Sequence, residues 1–317
     1  MIAEKVKKLL EKQGYRFVGR HSAVKICSWC KKDLVDEGKC YKSKFYGISS
    51  FGCCQMSPAI EICQNKCLHC WRPAELSTKK KIEKRDADKP KEIIEKCIES
   101  QKKLLIGFKG DSRTNRKKFL SSQEPSQFAI SLSGEPTLYP YLGELIEELR
   151  KKGKTSFLVT NGLCPRVLEK LQKKRQLPTQ LYLSVNAPNK KLFEKITRSK
   201  EKNAWNIYLK TVRLFPKLKT RKVLRLTLIR DLNMEDFEGY AKLIKAAKPH
   251  FVEVKSYISV GFARKRLGYE KMPLHSEVKE FAKTLCSFIG MKILDEQKES
   301  EVVLIGNNKK GMKIKSL

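Results

Sequence analysis

Leu181-Tyr-Leu-Ser-Val-Asn186 alternates: Leu181, Leu183 and Val185 fall on one side of an extended chain, Tyr182, Ser184 and Asn186 on the other. The pattern returns twice. Leu224–Ile229 sets Leu224, Leu226 and Leu228 against Arg225, Thr227 and Ile229, and in Val252–Tyr257 the second side holds Glu253, Lys255 and Tyr257. A parallel strand buried between two helical layers reads as a nearly continuous apolar run. These strands instead offer an apolar side to covering helices and a polar side to a shared interior, which reads as a ligand cavity. An ordinary sheet with one wet face is the competing reading.

Working outward, strands are expected at Phe45–Met56, Gln127–Ser133, Thr155–Thr160, Gln180–Asn186, Val223–Arg230 and Phe251–Ser259. Helical stretches are expected at Asp88–Gln101, Tyr139–Lys152, Pro165–Lys174, Asn203–Phe215, Met234–Ala247 and Ser276–Ile289. Strands alternating with helices argue for a parallel sheet. Eight such units would close a barrel, and six leave it open. The expected class is therefore α/β: an open six-stranded parallel (β/α)6 partial TIM barrel over residues 45–306. Ahead of it, residues 1–44 form an N-terminal helix and a cysteine-bearing extension, and 307–317 a basic tail. Gly107–Gln127, with Lys109, Arg113, Arg116, Lys117 and Lys118, and Val260–Pro273, with Arg264, Lys265 and Arg266, read as long functional loops.

The chain has 317 residues, 68 Lys and Arg against 34 Asp and Glu, and a formal charge of +34. Such an excess favours a polyanionic partner, with nucleic acid ahead of an anionic membrane surface. No apolar run reaches the ~18 residues of a membrane span. The N-terminus around Leu9 and Leu10 is amphipathic and lacks an apolar signal-peptide centre, so a cytoplasmic protein, working as a monomer, is expected. Of 11 cysteines, all but Cys97, Cys164 and Cys286 fall between Cys27 and Cys70. In a reducing compartment that clustering points to metal rather than disulfides.

Cys63-Gln-Asn-Lys-Cys67-Leu-His-Cys70 spaces three thiols by four and three residues. Three thiolates can hold a cubane and leave its fourth iron open for a ligand. A zinc ribbon recruiting Cys27 and Cys30 to Cys67 and Cys70 is the alternative, but it leaves Cys63 without a purpose.

With Trp71 following, this motif resembles the radical SAM superfamily, whose open iron binds S-adenosylmethionine (SAM). Further matches lie at successive strand ends: Gly134-Glu135-Pro136-Thr137, Thr160-Asn161-Gly162, Ser184-Val-Asn186, and Arg225 on the fifth strand. More specifically, Cys40-Tyr-Lys42-Ser-Lys44-Phe-Tyr-Gly47, Cys53-Cys54-Gln-Met-Ser-Pro58, Cys70-Trp-Arg-Pro73, Gly261-Phe-Ala-Arg264-Lys-Arg266-Leu267 and Met272-Pro273-Leu-His275 resemble the tRNA 4-demethylwyosine synthase family. The likeness covers about residues 20–306 and is to the stand-alone archaeal form, without the flavodoxin-like domain of larger eukaryotic members.

The resemblance implies condensation of pyruvate with N1-methylguanosine beside the anticodon of phenylalanine tRNA. It implies two [4Fe-4S] clusters, SAM and an external electron donor. One cluster would sit on Cys63, Cys67 and Cys70 and cleave SAM to a hydrogen-abstracting radical. A second, on Cys27, Cys40 and Cys53, would hold pyruvate. Gly134, Glu135, Thr160, Asn161, Ser184, Asn186 and Arg225 are the expected SAM contacts, with Glu135 in the loop that holds the methionine amine. Lys42 is the expected catalytic amine, forming a Schiff base with pyruvate, and Lys255 and Lys44 are alternatives. Cys30 and Cys54 are extra thiols near the second set. Two other readings stay open: a radical SAM enzyme for a different RNA or for activating a protein, and a non-catalytic zinc protein that binds nucleic acid.

Overall fold

The computed structural model describes residues 4–78 and 82–314. One sheet runs through them. Its strands are β1 (Arg16–Phe17), β2 (Ala23–Lys25), β3 (Cys53–Ser57), β4 (Gln127–Ile130), β5 (Thr155–Thr160), β6 (Gln180–Val185), β7 (Arg221–Leu228), β8 (Phe251–Ser256), β9 (Lys292–Gln297) and β10 (Val302–Gly306). Their spatial order is β1-β2-β3-β4-β5-β6-β7-β8-β10-β9. From β3 to β8 every neighbour is parallel. β2 and β1 extend one edge antiparallel, and β10 and β9 the other. The result is an α/β fold on a ten-stranded, parallel-rich sheet, four strands wider than the sequence pattern indicated.

The two sides of the strands part as expected. Leu181, Leu183, Val185, Leu224, Leu226, Leu228, Val252 and Val254 join the main core with the helices Pro90–Leu105, Leu142–Lys151, Pro165–Lys173, Phe237–Ala247 and His275–Ile289. The opposite side is not an open cavity along its whole length. Phe157, Tyr182, Val223 and Phe251, in the first halves of their strands, pack with Phe45, Tyr46 and Met312 into a second apolar cluster. Polar residues remain beyond it.

Several sequence-based boundaries move. Phe45–Met56 is not one strand: Tyr41–Tyr46 is a helix, closed by Gly47 at φ +78 with its N–H on the Ser43 carbonyl. The strand starts only at Cys53. Phe45, Tyr46 and Ile48 look β-forming because they are aromatic or branched, yet they are buried through a helix and the turn after it. The expected boundary after residue 44 falls inside that helix, and β1 and β2 of the extension are sheet members. Gly107–Gln127 contains a helix, Arg116–Ser122, whose first turn is capped by the Asn115 side chain accepting from the Lys118 N–H at 3.2 Å. Val260–Pro273 contains another, Gly261–Leu267. The tail packs back: Met312 is buried and the Ile314 N–H donates to the Tyr46 carbonyl at 2.8 Å. Met1–Ala3 of the expected first helix and Lys315–Leu317 of the tail lie outside the described residues. Among the described residues no helix is long and apolar enough to cross a membrane.

Candidate active site

Residues 63–73 follow β3 without helix or strand. Their backbone is tied down from outside: the Cys63 N–H donates to Thr78, Lys66 to Thr197, Leu68 to Ile196, and Cys70 back to Cys67, at 2.9–3.1 Å. Such anchoring fixes the course of the loop that carries the three cysteines, and burial, then the neighbouring Cys63 and Cys70, push the Cys67 thiol up.

The turn after β4 closes on the approach to this loop. The Glu135 N–H donates to the Ile62 carbonyl at 2.7 Å. Gly134 has φ +72, and a Cβ there would lie 1.8 Å from the Ala59 carbonyl oxygen, so only glycine lets the two segments touch. Glu135 is buried and accepts four hydrogen bonds: from the Thr137 N–H (3.1 Å) and hydroxyl (2.7 Å), the Thr160 hydroxyl (2.8 Å) and the Asn161 N–H (2.7 Å). Burial raises its carboxyl despite those donors. Asn161 donates through Nδ2 to Gln64 at 3.1 Å and to the Cys63 sulfur at 3.8 Å. The ends of β4 and β5 are thus built onto the first thiol. Asn186, past β6, is buried with Oδ1 unpartnered, while its carbonyl accepts from Asn233 at 2.9 Å. Ser184 is half-buried and takes the Tyr208 hydroxyl on its carbonyl at 3.2 Å.

Arg225 is held in a second network. Its Nε donates to Glu253 at 2.8 Å, its Nη2 to the Tyr41 hydroxyl at 2.7 Å, and its guanidinium stacks on Tyr182 at 4.5 Å. Glu253, wholly buried, also accepts from Tyr46 (2.7 Å) and Tyr41 (3.1 Å). This polar network sits beside Lys42, whose ammonium lies 5.0 Å from the Tyr182 ring centre and 5.4 Å from that of Phe157. Cys40 packs against the Phe157 and Tyr182 cluster, and burial raises the Cys40 and Cys53 thiols, with Lys42 opposing it and Cys27 adding to it. Burial lowers the Lys42 ammonium, Arg225 lowers it further, and Cys40, Glu253 and Cys53 oppose them. Lys255, also held down by burial and then by Arg225, to about 8, donates to the Ser300 carbonyl. Lys44 is exposed and pairs with Asp295 at 3.0 Å, pointing away.

The extra thiols are accounted for. Cys54 is buried in the main core, which also holds Cys97. Cys30 is buried and donates to the Phe51 carbonyl at 3.4 Å. Among the described residues, no three His, Cys, Asp or Glu side chains converge tightly enough to hold a single metal ion. A tetrahedral zinc would need sulfurs within about 4 Å of one another, whereas a cubane, each thiolate on its own iron, spreads them further. Burial pushes the Cys63 and Cys53 thiols up to about 12 and Cys40 to about 11. Thiolates there need a bound cation to exist. Around the first loop, both side-chain atoms of Asn65 and Nδ1 of His69 are buried without partners. Three thiols on one short loop, with orphaned polar atoms beside them, fit a cluster with a polar organic ligand.

Sequence reasoning missed Glu253, Tyr41 and Gln64 as parts of the site. A Glu amid the apolar residues of β8 was the one available signal. Two cations of the basic loop Gly107–Gln127 are engaged within the chain: Lys118 pairs with Asp33 at 2.7 Å, and Arg113 with Asp111 at 2.8 Å.

The radical SAM superfamily model matches residues 57–244, and the wyosine base formation model matches residues 246–307. Over 303 residues, 95% of this chain and 88% of the relative, the chain is 46% identical to the S-adenosyl-L-methionine-dependent tRNA 4-demethylwyosine synthase of Pyrococcus abyssi. The chain belongs to the tRNA 4-demethylwyosine synthase family. The Methanocaldococcus jannaschii synthase is 40% identical over 97% of both chains. A solved structure of TYW1 with a lysine-pyruvate adduct bound superposes with a TM-score of 0.87 at 38% identity, covering 99% of this chain and 98% of that one. An archaeal TYW1 crystal structure gives 0.80 at 35% identity, covering 99% and 100%. As a member of this family within the radical SAM superfamily, the chain is an enzyme of wyosine biosynthesis that uses SAM and a [4Fe-4S] cluster. That membership sets aside the non-catalytic zinc reading.

Proposed function

We propose that this chain forms 4-demethylwyosine by condensing pyruvate with N1-methylguanosine beside the anticodon of phenylalanine tRNA. Cys63, Cys67 and Cys70 hold the SAM-binding [4Fe-4S] cluster, and Cys27, Cys40 and Cys53 hold a second one. The six parallel strands form an open barrel around both. The observation that supports the reading is half-buried Lys42, set among Tyr182, Arg225, Glu253 and Cys40, in a chain whose Cys63, Cys67 and Cys70 lie on a separate loop. The solved TYW1 with a lysine-pyruvate adduct supports the same chemistry here.

When bound, the reduced first cluster and SAM supply the radical that takes hydrogen from the base's methyl group. The chain's own part is binding and orientation. Glu135, buried but held by four donors, is placed to accept from an ammonium, and Gly134, Thr160 and Asn161 fix its direction. The free Oδ1 of Asn186 is available to a polar ligand group, as is Ser184. Arg225 is assigned to the pyruvate side rather than to SAM, because Glu253 and Tyr41 hold it near Lys42. The side-chain nitrogen of Lys42 makes no hydrogen bond or ion pair with described residues, and burial and Arg225 favour its neutral, nucleophilic amine. It attacks the ketone of pyruvate, water leaves, and an imine holds the substrate. Exposed Lys109, Lys117, Arg264 and Lys265 remain as phosphate contacts. Electrons come from an external donor, and the enzyme works as a cytoplasmic monomer.

Borohydride treatment with labelled pyruvate tests the site. Reduction should leave the label on Lys42, and Lys42→Ala should abolish it while iron content and SAM cleavage persist. Label on Lys255 or Lys44 would overturn the residue, and no label at all the imine.

A further inference from the structure

Of the three cations in Arg264-Lys265-Arg266, the first two are exposed and the third is turned inward, its side chain only 10% exposed. Its Nε donates to the Leu68 carbonyl at 3.0 Å, and its Nη2 to the carbonyls of Cys70 and, at 3.3 Å, Arg72. Nη1 pairs with Glu75 at 2.6 Å. One guanidinium thus serves three carbonyls of a loop that has no helix or strand of its own to satisfy them. The five-donor fork of arginine can do this, and the single ammonium of lysine cannot match its geometry. The same helix meets the loop at its other end. The Phe262 N–H donates to the Trp71 carbonyl at 3.0 Å. Gly261 has φ +56, and a Cβ there would lie 2.4 Å from that carbonyl oxygen. Contacts therefore run over Leu68, Cys70, Trp71 and Arg72, spanning the last thiol of the triad. They join the 246–307 segment, matched by the wyosine base formation model, to a loop matched by the radical SAM model.

We propose that Arg266 is a positioning residue for the iron–sulfur site, fixing the Cys67–Cys70 turn so that three thiolates meet one cubane, with its charge setting the cluster's reduction potential. This rests on the assignment of Cys63, Cys67 and Cys70 as ligands. Supporting groups of this kind are worth about 10–100-fold in metal affinity, and net charge near a cluster shifts its potential. The placement explains why a residue of a basic tripeptide is withheld from solvent.

Anaerobically purified, cluster-loaded protein is challenged with an iron chelator and titrated reductively with the cluster's electron spin resonance as readout. Arg266→Gln should lose iron from the first site about 10–100-fold faster, and its potential should move to more negative values. Arg266→Lys keeps the charge but not the fork, so it should keep the potential while losing iron quickly. Gly261→Ala, which keeps Arg266, should also speed iron loss and covers the case of an unfolded Gln variant. In iron-free protein, amide hydrogen exchange at residues 66–72 should rise in Arg266→Gln. Wild-type iron retention and exchange in Arg266→Gln would overturn the positioning role, and an unmoved potential the electrostatic one. Cys63→Ala is the reference: if it leaves iron content and signal unchanged, the ligand assignment has failed rather than the proposal for Arg266.

Discussion

Replacing Glu253 by Gln should destabilise the fold far more than its single position suggests. Glu253 is cross-strand partner to Arg225, is wholly buried, and accepts from that guanidinium and from two tyrosine hydroxyls. Removing its charge strands a cation that is itself only 18% exposed. Breaking a buried pair in this way costs about 3–5 kcal/mol, because the partner's desolvation is no longer offset. Gln retains one acceptor oxygen, so the cost should sit toward the lower end. Arg225→Met alone should be costly for the converse reason, but the double variant Arg225→Met/Glu253→Gln leaves no stranded charge. Its loss should be well below the sum of the singles, with a coupling of about 1–3 kcal/mol. The pH dependence has a definite sign. Burial alone would raise the Glu253 carboxyl, but Arg225, Lys42 and the hydrogen bonds from Tyr46 and Arg225 outweigh it and hold it below the usual carboxylate value. Its contribution is therefore complete above the ordinary glutamate pKa of about 4.3 and fades as pH falls through the lower folded value. Urea unfolding of iron-free protein at pH 7.5 and at pH 4, for the four members of the cycle, is the assay. Additive losses, or a Gln variant as stable as wild type at pH 7.5, would refute the reasoning.

Gly134→Ala should cost at least about 2 kcal/mol, since it adds left-handed strain to an overlap with the Ala59 carbonyl; thermal unfolding and SAM binding should both be impaired. Cys53→Ala should lose about half of the iron, whereas Cys54→Ala, a change in the apolar core, should keep all of it at a cost of about 1 kcal/mol. Affinity for tRNA should fall about 10²-fold between 50 and 200 mM salt if Lys109, Lys117, Arg264 and Lys265 make four phosphate contacts; a flat response would contradict this.

The parallel heart of the sheet was legible because Leu181–Val185, Leu224–Leu228 and Val252–Val254 alternate cleanly and each precedes a helical period. The edge strands were not. β1 and β2 are two and three residues long, too short to establish a period. β9 mixes Lys292, Asp295 and Glu296 with Ile293 and Leu294. The helix Tyr41–Tyr46 hid behind β-favouring residues because tertiary burial, not propensity, decides its conformation. At the site, spacing alone was enough to single out the first triad as a candidate, since three thiols within eight residues admit few other uses. The Arg225–Glu253 pair was invisible: its members lie 28 residues apart, and only the β7–β8 register brings them opposite. The role of Arg266 was illegible for a related reason. A basic run looks uniformly solvated until the fold shows which member turns inward.

The central claim is tested most directly by the complete reaction. The anaerobic protein is incubated with SAM, labelled pyruvate, a reductant and phenylalanine tRNA bearing N1-methylguanosine, and the digested nucleosides are weighed by mass spectrometry. The account predicts loss of N1-methylguanosine and appearance of labelled 4-demethylwyosine, dependent on Cys63, Cys67, Cys70 and Lys42. SAM cleavage that leaves the methylated guanosine intact, with both clusters present and pyruvate in excess, would contradict it.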